Sequence, residues 1–244
     1  MQPEISISIV SHGQFELVDS LLADLRKVNH PNVEVILTLN IPEPADAEFK
    51  DWPFPVYLRR NQTPRGFGAN HNAALLSASA NWLCVLNPDL RIPKNPFPAL
   101  VETMADSTVG VCAPLVLSPS GEVESSARAF PTPGGIWRKA LLGAGAERGN
   151  DENARPDWLA GMFLFFRRDA FVAVGGFDER YFLYYEDVDI CARLRLAGYR
   201  AGLCKQSNVV HAARRTSHRS FRYAAIHLRS MARWFLSDVR AEIS

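Results

Sequence analysis

The first forty residues switch between two hydrophobic periods, and this pattern restricts the possible fold more than any other feature of the chain. Ile5, Ile7 and Ile9 alternate with serines, which predicts a strand. Apolar residues then recur at helical spacing over residues 15–28, and the β-branched run Val33–Leu39 predicts a second strand. Strand, helix and strand in this order form the unit of a parallel sheet. We therefore predict an α/β fold with a mainly parallel central sheet flanked by helices.

Later apolar runs extend this pattern and predict one ligand-binding rim. The run Trp82–Leu86 is almost continuously apolar, which indicates a strand that is covered on both faces. Ligands of open α/β sheets bind beyond the carboxyl ends of the strands, so Ser11, Asn40 and Asp89 are predicted to lie along one rim. The remaining patterns predict strands at residues 55–58, 109–117, 158–166, 200–203 and 209–211, and a hairpin return at 122–130. They also predict a glycine-rich turn at 65–70 that opens a helix through residue 80, and a helix at 221–236.

Composition limits the classes of protein to which the chain can belong. With 244 residues, 47% of them hydrophobic, it is long enough to bury the core of one domain over residues 1–244. A net charge of +1 argues against a polycation that binds nucleic acid. The chain shows no basic and apolar leader and no long apolar run, so we expect a cytoplasmic protein without a membrane span. The four cysteines are widely spaced, which predicts that they are buried thiols in a reducing compartment. They are Cys84, Cys112, Cys191 and Cys204.

The C-terminal part of the chain is basic. From Lys205 onward it contains eight Lys and Arg residues against two acids. This charge suits either an anionic membrane surface or phosphate groups, or it marks a solvated helix face. The apolar stripe of the last predicted helix is likewise open to two interpretations, docking on a cytoplasmic membrane leaflet or packing on the core.

Three carboxylates in four positions follow a run of aromatic residues. Glu186, Asp187 and Asp189 come directly after Tyr184 and Tyr185. Partial desolvation and mutual repulsion raise the pKa of such carboxylates, which would suit one of them to act as a general base. Acids at a helix start are also favoured by the helix dipole, and apolar residues at helical spacing follow them up to Gly198. Both interpretations fit this stretch taken alone.

Three further features are chemically informative. The glycine turn at residues 65–70 lacks the last glycine of a dinucleotide fingerprint and does not follow the first strand, so it is either a close approach to another ligand or a structural turn. Asp89 is a hard oxygen ligand for Mg²⁺ or Mn²⁺, or a turn residue, and His211 is a candidate second ligand. The sequence of residues 143–156 predicts a loop, which is either a lid over a ligand or an irregular segment at the surface. HExxH, GxSxG and P-loop motifs are absent.

The order of six motifs resembles the inverting family 2 glycosyltransferases of the GT-A fold. Within that family the likeness is greatest to bacterial rhamnosyltransferases that extend a polyprenyl-diphosphate-linked N-acetylglucosamine. The resemblance therefore implies a nucleotide-diphospho-sugar donor, with dTDP-rhamnose favoured, a lipid-linked glycan acceptor and a Mg²⁺ or Mn²⁺ cofactor. The motifs are SHG at 11–13, RGFGANHN at 65–72, LNPDL at 86–90, DWLAG at 157–161, GFD at 176–178 and YYEDVD at 184–189.

The resemblance also implies a role for individual residues. Asp187 matches the catalytic base, with Glu186 beside it as a supporting acid. Asp89 and His211 match positions near the metal. The resemblance also divides the chain into a nucleotide-sugar half at 1–117, an acceptor and catalytic half at 118–216 and a basic aromatic helix at 217–244. The acceptor site would include Trp158, Gly161 and Tyr184, and the nucleotide-sugar site Ser11, Asn40, Arg65, Gly66, Phe67, Gly68, Asn72 and Asn87.

One departure from the family pattern affects the donor. Relatives often have Asp-Asn after the second strand, whereas this chain has Leu39 and Asn40, so an acid that would contact the nucleoside is missing. Two alternatives to a dTDP-rhamnose transferase therefore stay open. One is a transferase that uses a UDP-hexose or a UDP-N-acetylhexosamine, and the other is a catalytically silent protein that binds sugar nucleotides.

Overall fold

The computed structural model describes residues 3–44, 49, 52–142, 155–212 and 221–243. The loop expected at residues 143–156 lies, apart from its last two residues, outside this described part. Eight helices are present in it. They are α1 Phe15–Val28, α2 Phe67–Leu75, α3 Phe97–Thr103, α4 Pro133–Leu142, α5 Arg168–Ala173, α6 Glu186–Leu196, α7 Phe221–Phe235 and α8 Asp238–Glu242.

A mixed sheet of eight strands forms the centre of the described structure. Its strand order is β3-β2-β1-β4-β9-β6-β10-β5, and a separate two-stranded sheet pairs β7 with β8. Only β9 and β5 run against the other six strands, so the sheet is mainly parallel as predicted. The strands are β1 Ile5–Ser11, β2 Val33–Leu39, β3 Val56–Arg60, β4 Trp82–Leu86, β5 Leu90–Arg91, β6 Val109–Leu117, β7 Ala127–Arg128, β8 Trp158–Leu159, β9 Phe163–Arg167 and β10 Arg200–His211.

Both faces of the sheet are covered, which explains the apolar strand β4. Cys84 and Leu86 point into the cluster that also contains the buried residues of α1 and α3. Leu83 and Val85 point into the cluster on the other face, together with residues of α2, α5 and α6. Because successive strand residues alternate between faces, a strand covered on both sides must be apolar throughout. The predicted central burial of β4 is confirmed.

Several predicted boundaries are wrong. Helix α2 ends at Leu75 rather than at residue 80, where serines that favour turns follow. The run at 158–166 is split by a turn into β8 and β9. The segments at 200–203 and 209–211 are one strand, β10, with an irregularity between Cys204 and Asn208. The hairpin return reduces to a bridge between Leu117 and Val123, because β7 pairs with β8 instead.

The thiols and the C-terminal helices complete the fold. All four cysteines are buried and unpaired, as predicted. Helix α7 packs on α6, where Trp234 is fully buried against Val188 and Ala192. Across the described ranges of the chain, we find no helix with the length and hydropathy required to traverse a bilayer.

Candidate active site

The glycine turn before α2 contacts the segment that leads into α6. Phe67 N–H donates to the carbonyl of Phe182 at 2.8 Å. A Cβ on Gly66 would lie 2.8 Å from the same carbonyl oxygen, so only glycine permits this approach. The backbone of Gly66 has φ −66°, which any residue can adopt. The glycine is therefore required by the contact rather than by its conformation.

The next positions of the same motif hold the turn at residues 176–178. The Asn72 side chain donates to the carbonyl of Phe177 and accepts from its N–H, both at 2.8 Å. Gly176 within that turn has φ +70°, which favours glycine. A Cβ on Gly68 would lie 2.6 Å from the Cβ of Phe177. Gly68 and Asn72 thus fix the backbone, and their predicted contact with the nucleotide sugar stays a prediction.

The ends of β1 and β2 meet at the rim, as predicted for Ser11 and Asn40. Asn40 N–H donates to the carbonyl of Ser11 at 2.9 Å. The Asn40 amide accepts from Arg65 N–H at 2.8 Å and donates to the Arg65 carbonyl at 2.9 Å. Ser11 Oγ donates to Glu43 at 2.8 Å. These groups support the glycine turn, and their predicted contact with a nucleotide stays a prediction.

Asp187 lies in the first turn of α6 and remains partly exposed. Its Oδ2 accepts from Gly161 N–H at 2.9 Å and its Oδ1 accepts from Val188 N–H at 2.9 Å. Burial raises the pKa of Asp187, and these N–H groups and the positive charge of Arg128 oppose that rise. The result is a carboxylate that is more basic than usual but still favoured in its charged form by its hydrogen bonds.

Glu186 differs from its neighbour in burial and in hydrogen bonding. It is fully buried, and its Oε2 has no hydrogen-bond partner in the described part of the chain. Burial, and then the negative charge of Asp187, raises the pKa of Glu186 well above its ordinary range. Glu186 gains less from N–H donors than Asp187 does, so the charged form of Glu186 is the less favoured of the two.

The three residues predicted to contact the acceptor have different surroundings. Trp158 lies on β8, where its Nε1–H donates to the Ala129 carbonyl at 2.9 Å and the Arg128 guanidinium lies 5.4 Å from its ring centre. Gly161 donates to Asp187 directly. Tyr184 instead packs edge-on against His227 of α7, at 5.2 Å between ring centres. The structure therefore brings Gly161 into contact with Asp187, places Trp158 beside Arg128, whose charge acts on Asp187, and places Tyr184 at the contact with α7.

Asp89 and His211, the predicted metal ligands, lie next to each other where β5 pairs with β10, at the edge of the sheet opposite β3. His211 Nε2 is 3.3 Å from Asp89 Oδ2, and the buried Asp89 Oδ1 has no hydrogen-bond partner among the described residues. The hydrogen bond to Asp89 and a second one to Glu124 raise the pKa of His211 to about 9. The Nδ1 of His211 lies 2.8 Å from Glu124, which holds the ring with Nε2 towards Asp89.

This pair fits a divalent cation only in part. A carboxylate oxygen without a partner is a suitable ligand for Mn²⁺, and the oriented imidazole nitrogen would become one on losing its proton. However, the described residues contain no group of three or more His, Cys, Asp or Glu side chains placed to hold a metal ion. The remaining ligands would have to be oxygen atoms of the substrate and water.

One short turn connects the two carboxylate sites. Asn87 N–H, two residues before Asp89, donates to the Met162 carbonyl at 2.9 Å. Gly161, the residue before Met162, donates its N–H to the Asp187 carboxylate. The turn between β8 and β9 thus links the predicted base, Asp187, to the strand end that precedes the predicted metal ligand, Asp89.

Sequence reasoning missed three residues that contact this site. Glu124 orients His211 from 87 positions away, so no local spacing marks it. Glu179 accepts from Asn72 at 3.2 Å and pairs with Arg65 at 3.4 Å. Arg128 carries the positive charge that acts on Asp187, and it lies in the segment for which the sequence predicts a hairpin return. A signal for any of them would have required knowledge of the strand pairing.

Comparison with known proteins agrees with this architecture. A family model described as glycosyl transferase family 2 matches residues 6–171. The chain is 35% identical over 160 residues to an N-acetylglucosaminyl-diphospho-decaprenol L-rhamnosyltransferase of Mycobacterium tuberculosis H37Rv, which covers 61% of this chain and 51% of that protein. The chain thus spans about half the length of this relative. It is 29% identical over 248 residues to the rhamnosyltransferase WbbL of Escherichia coli K12, which covers 94% of this chain and 92% of WbbL.

Solved structures show the same fold. The mannosyltransferase PcManGT of Pyrobaculum calidifontis, in complex with GDP-Man and Mn²⁺, matches with a TM-score of 0.63 and 18% identity, over 97% of this chain and 65% of that one. This likeness confirms the predicted GT-A fold. Because the family model matches well over half of its residues, the chain belongs to glycosyl transferase family 2.

Proposed function

We propose that the chain is an inverting, metal-dependent glycosyltransferase that moves L-rhamnose from dTDP-rhamnose to a lipid-diphosphate-linked N-acetylglucosamine in the synthesis of a bacterial cell-surface polysaccharide. The observation that carries the proposal is the Asp187 carboxylate, which is partly exposed, held by two backbone N–H groups and raised in pKa by burial. The names of the M. tuberculosis and E. coli relatives support the choice of sugar. The buried, unpaired thiols suit a cytoplasmic location.

In this proposal Asp187 acts as the general base. It removes the proton from an acceptor hydroxyl, whose oxygen then attacks the anomeric carbon of the donor from the side opposite the nucleoside diphosphate. Gly161 and Val188 hold the carboxylate in one orientation, and each carboxylate oxygen keeps a second lone pair for the hydroxyl proton. Trp158 offers an aromatic face on which the acceptor sugar can stack.

Glu186 supports this role without sharing it. As a buried neutral acid it adds no second negative charge beside Asp187, so only one carboxylate of the pair is available as a base. Asp89 and His211 would hold the divalent cation, which would stabilise the negative charge of the departing diphosphate. The half of the chain up to residue 117 would then bind the nucleotide sugar, and the half from residue 118 the acceptor.

The proposal predicts opposite results for two neighbouring isosteric substitutions. Asp187→Asn removes the base, and we expect turnover to fall by about 10²–10⁴-fold while the donor still binds. Glu186→Gln replaces a neutral acid with a neutral amide of the same shape, so we expect turnover within a few-fold of wild type. Release of nucleoside diphosphate would be measured, with binding of the donor followed by calorimetry. Asp169→Asn, at an exposed carboxylate distant from this chemistry, is the matched control.

The same assay identifies the donor. Purified protein would be given dTDP-rhamnose, UDP-hexoses and UDP-N-acetylhexosamines in turn, each with a lipid-linked N-acetylglucosamine acceptor. We expect turnover with dTDP-rhamnose alone. Turnover with a UDP-sugar instead would refute the choice of donor, and binding without turnover for every donor would identify a silent sugar-nucleotide-binding protein. Near-normal turnover of Asp187→Asn would show that Asp187 is not the base.

A further inference from the structure

Helix α7 exposes large apolar side chains to solvent along its outward face. The exposed fraction is 96% for Phe221 and 58% for Leu228. It is 85% for Leu236, which follows the end of the helix. Ser230 and Trp234 are buried on the opposite side. Surface helices normally bury their apolar stripe and expose polar residues. An outward face of this kind therefore indicates a further contact surface.

A groove beside α7 continues this apolar surface. It lies between α4 and the pair α7 and α8, and its volume is about 480 Å³. Trp137 on α4, which is 70% exposed, lines the groove together with Met231 and Phe235 of α7. We call the outward face of α7 and this groove, taken together, the apolar face.

Positive charge borders the apolar face. Arg222 and Arg229 are both exposed and lie two turns apart on α7. The helix sequence FRYAAIHLRSMARWF contains no aspartate or glutamate. An amphipathic helix with large apolar residues on one side and arginines beside them is typical of segments that lie in the interface of an anionic bilayer.

The other side of α7 packs on the segment that carries the predicted base. Ser230 Oγ donates to the Leu183 carbonyl at 2.8 Å, three residues before Glu186. Trp234 packs against Val188, which follows Asp187. A ligand on the apolar face would therefore be separated from the Asp187 segment by the thickness of one helix.

We propose that the apolar face docks on the surface of an anionic lipid bilayer. Phe221, Leu228 and Trp137 would enter the apolar region, the groove would accept part of a lipid chain, and Arg222 and Arg229 would lie at the phosphate groups. A bilayer supplies the apolar phase and the negative charge together. The α7 helix of a second copy would bring more arginines and no carboxylate to pair with them. The inference rests on the proposed function only where it places Asp187 near a lipid-linked acceptor.

Vesicle sedimentation tests the docking without requiring any transfer. We expect wild-type protein to bind vesicles that contain phosphatidylglycerol, to bind phosphatidylcholine vesicles weakly, and to be released by salt. Each arginine at an anionic surface contributes about fivefold in affinity, so Arg222→Gln with Arg229→Gln should weaken binding about 25-fold. Leu228→Gln should weaken it about tenfold, through loss of buried apolar area.

Matched controls come from the exposed edge strand β3. Arg59→Gln with Arg60→Gln removes the same charge from another surface, and Tyr57→Gln removes an apolar side chain that is 53% exposed. We expect wild-type vesicle binding for these variants, and unchanged melting temperatures for all of them. Equal losses in the β3 and α7 variants would overturn the proposal, as would absence of wild-type binding.

Two further measurements separate this proposal from its competitors and from the proposed function. A dimer in sedimentation velocity that the α7 variants dissociate would assign the apolar face to a second copy and overturn docking. In transfer assays, we expect the α7 variants to act normally on a short-chain acceptor in solution and poorly on the acceptor in vesicles. Vesicle binding by a protein that transfers no sugar would refute the proposed function and leave the docking proposal intact.

Discussion

Substitution of Gly66 by alanine tests whether the glycine turn and the catalytic segment form one unit. The added Cβ would lie 2.8 Å from the Phe182 carbonyl oxygen and 2.9 Å from its Cα. Both atoms belong to the backbone, so the clash cannot be relieved by rotation of a side chain. Either the turn or the segment before α6 must move, and the hydrogen bond from Phe67 N–H to Phe182 is then weakened or lost.

The magnitude follows from these two contributions. Overpacking in a well-packed site costs about 1–3 kcal/mol, and loss of the hydrogen bond costs about 1 kcal/mol. A loss of about 2–4 kcal/mol in the free energy of unfolding lowers Tm by about 4–16 °C in a chain of this size. Displacement of the segment that positions Asp187 by about 1 Å should also lower kcat by about 10²-fold.

Differential scanning calorimetry and release of nucleoside diphosphate measure the two effects. Gly134→Ala in α4 is the control, because a Cβ there meets no atom within 4 Å. Alanine at that helical position should leave activity unchanged and raise stability by up to about 1 kcal/mol. The reasoning fails if Gly66→Ala melts within about 1 °C of wild type and keeps its turnover. A lower Tm with normal turnover would separate the fold from the catalytic segment.

Three other substitutions have defined outcomes. Asp89→Asn should abolish binding of Mn²⁺ to the protein, measured by electron paramagnetic resonance, and binding equal to wild type would exclude Asp89 as a ligand. Arg128→Gln removes the positive charge that lowers the pKa of Asp187, so the acid limb of the pH profile of kcat/KM should move to higher pH while the alkaline limb stays in place. A shift to lower pH would contradict this assignment. Asn72→Ala removes both hydrogen bonds to the 176–178 turn, so the free energy of unfolding should fall by about 1–3 kcal/mol, and an unchanged urea midpoint would show that the turn is held by other contacts.

Local pattern was sufficient to predict three strands and one helix in the first half of the chain. The strands β1, β2 and β4 and helix α1 were predicted within a residue or two, because their side chains alternate or recur as the sheet and the helix require. The carboxylates of α6 were also placed correctly at the start of a helix. In these segments the residues next to each other in sequence determine which face is buried.

Long-range contacts determine the features that local pattern missed. The run at 158–166 is apolar enough to be one strand, yet Gly161 turns its N–H towards Asp187, 26 positions away, and the strand is interrupted. The contact between His211 and Glu124 has the same character. Asn40 is polar at a strand end, as a ligand contact would be, but its hydrogen-bonding groups are used by the glycine turn. Only strand pairing and tertiary packing distinguish such cases.

The residues that hold the backbone of this site differ from its candidate reactive carboxylates in how many hydrogen-bonding groups they leave unused. The Asn40 oxygen accepts from Arg65 N–H and from the Asn61 side chain, and its nitrogen is engaged with the Arg65 carbonyl and His12, so a ligand could bind this amide only by displacing one of those contacts. Each oxygen of Asp187 accepts one N–H and keeps a free lone pair. Asp89 Oδ1 accepts nothing within the described ranges, although it is buried. Because a buried acceptor without a partner is costly, Asp89 is a position at which a cation would gain by binding, and the remaining lone pairs of Asp187 could take up a hydroxyl proton.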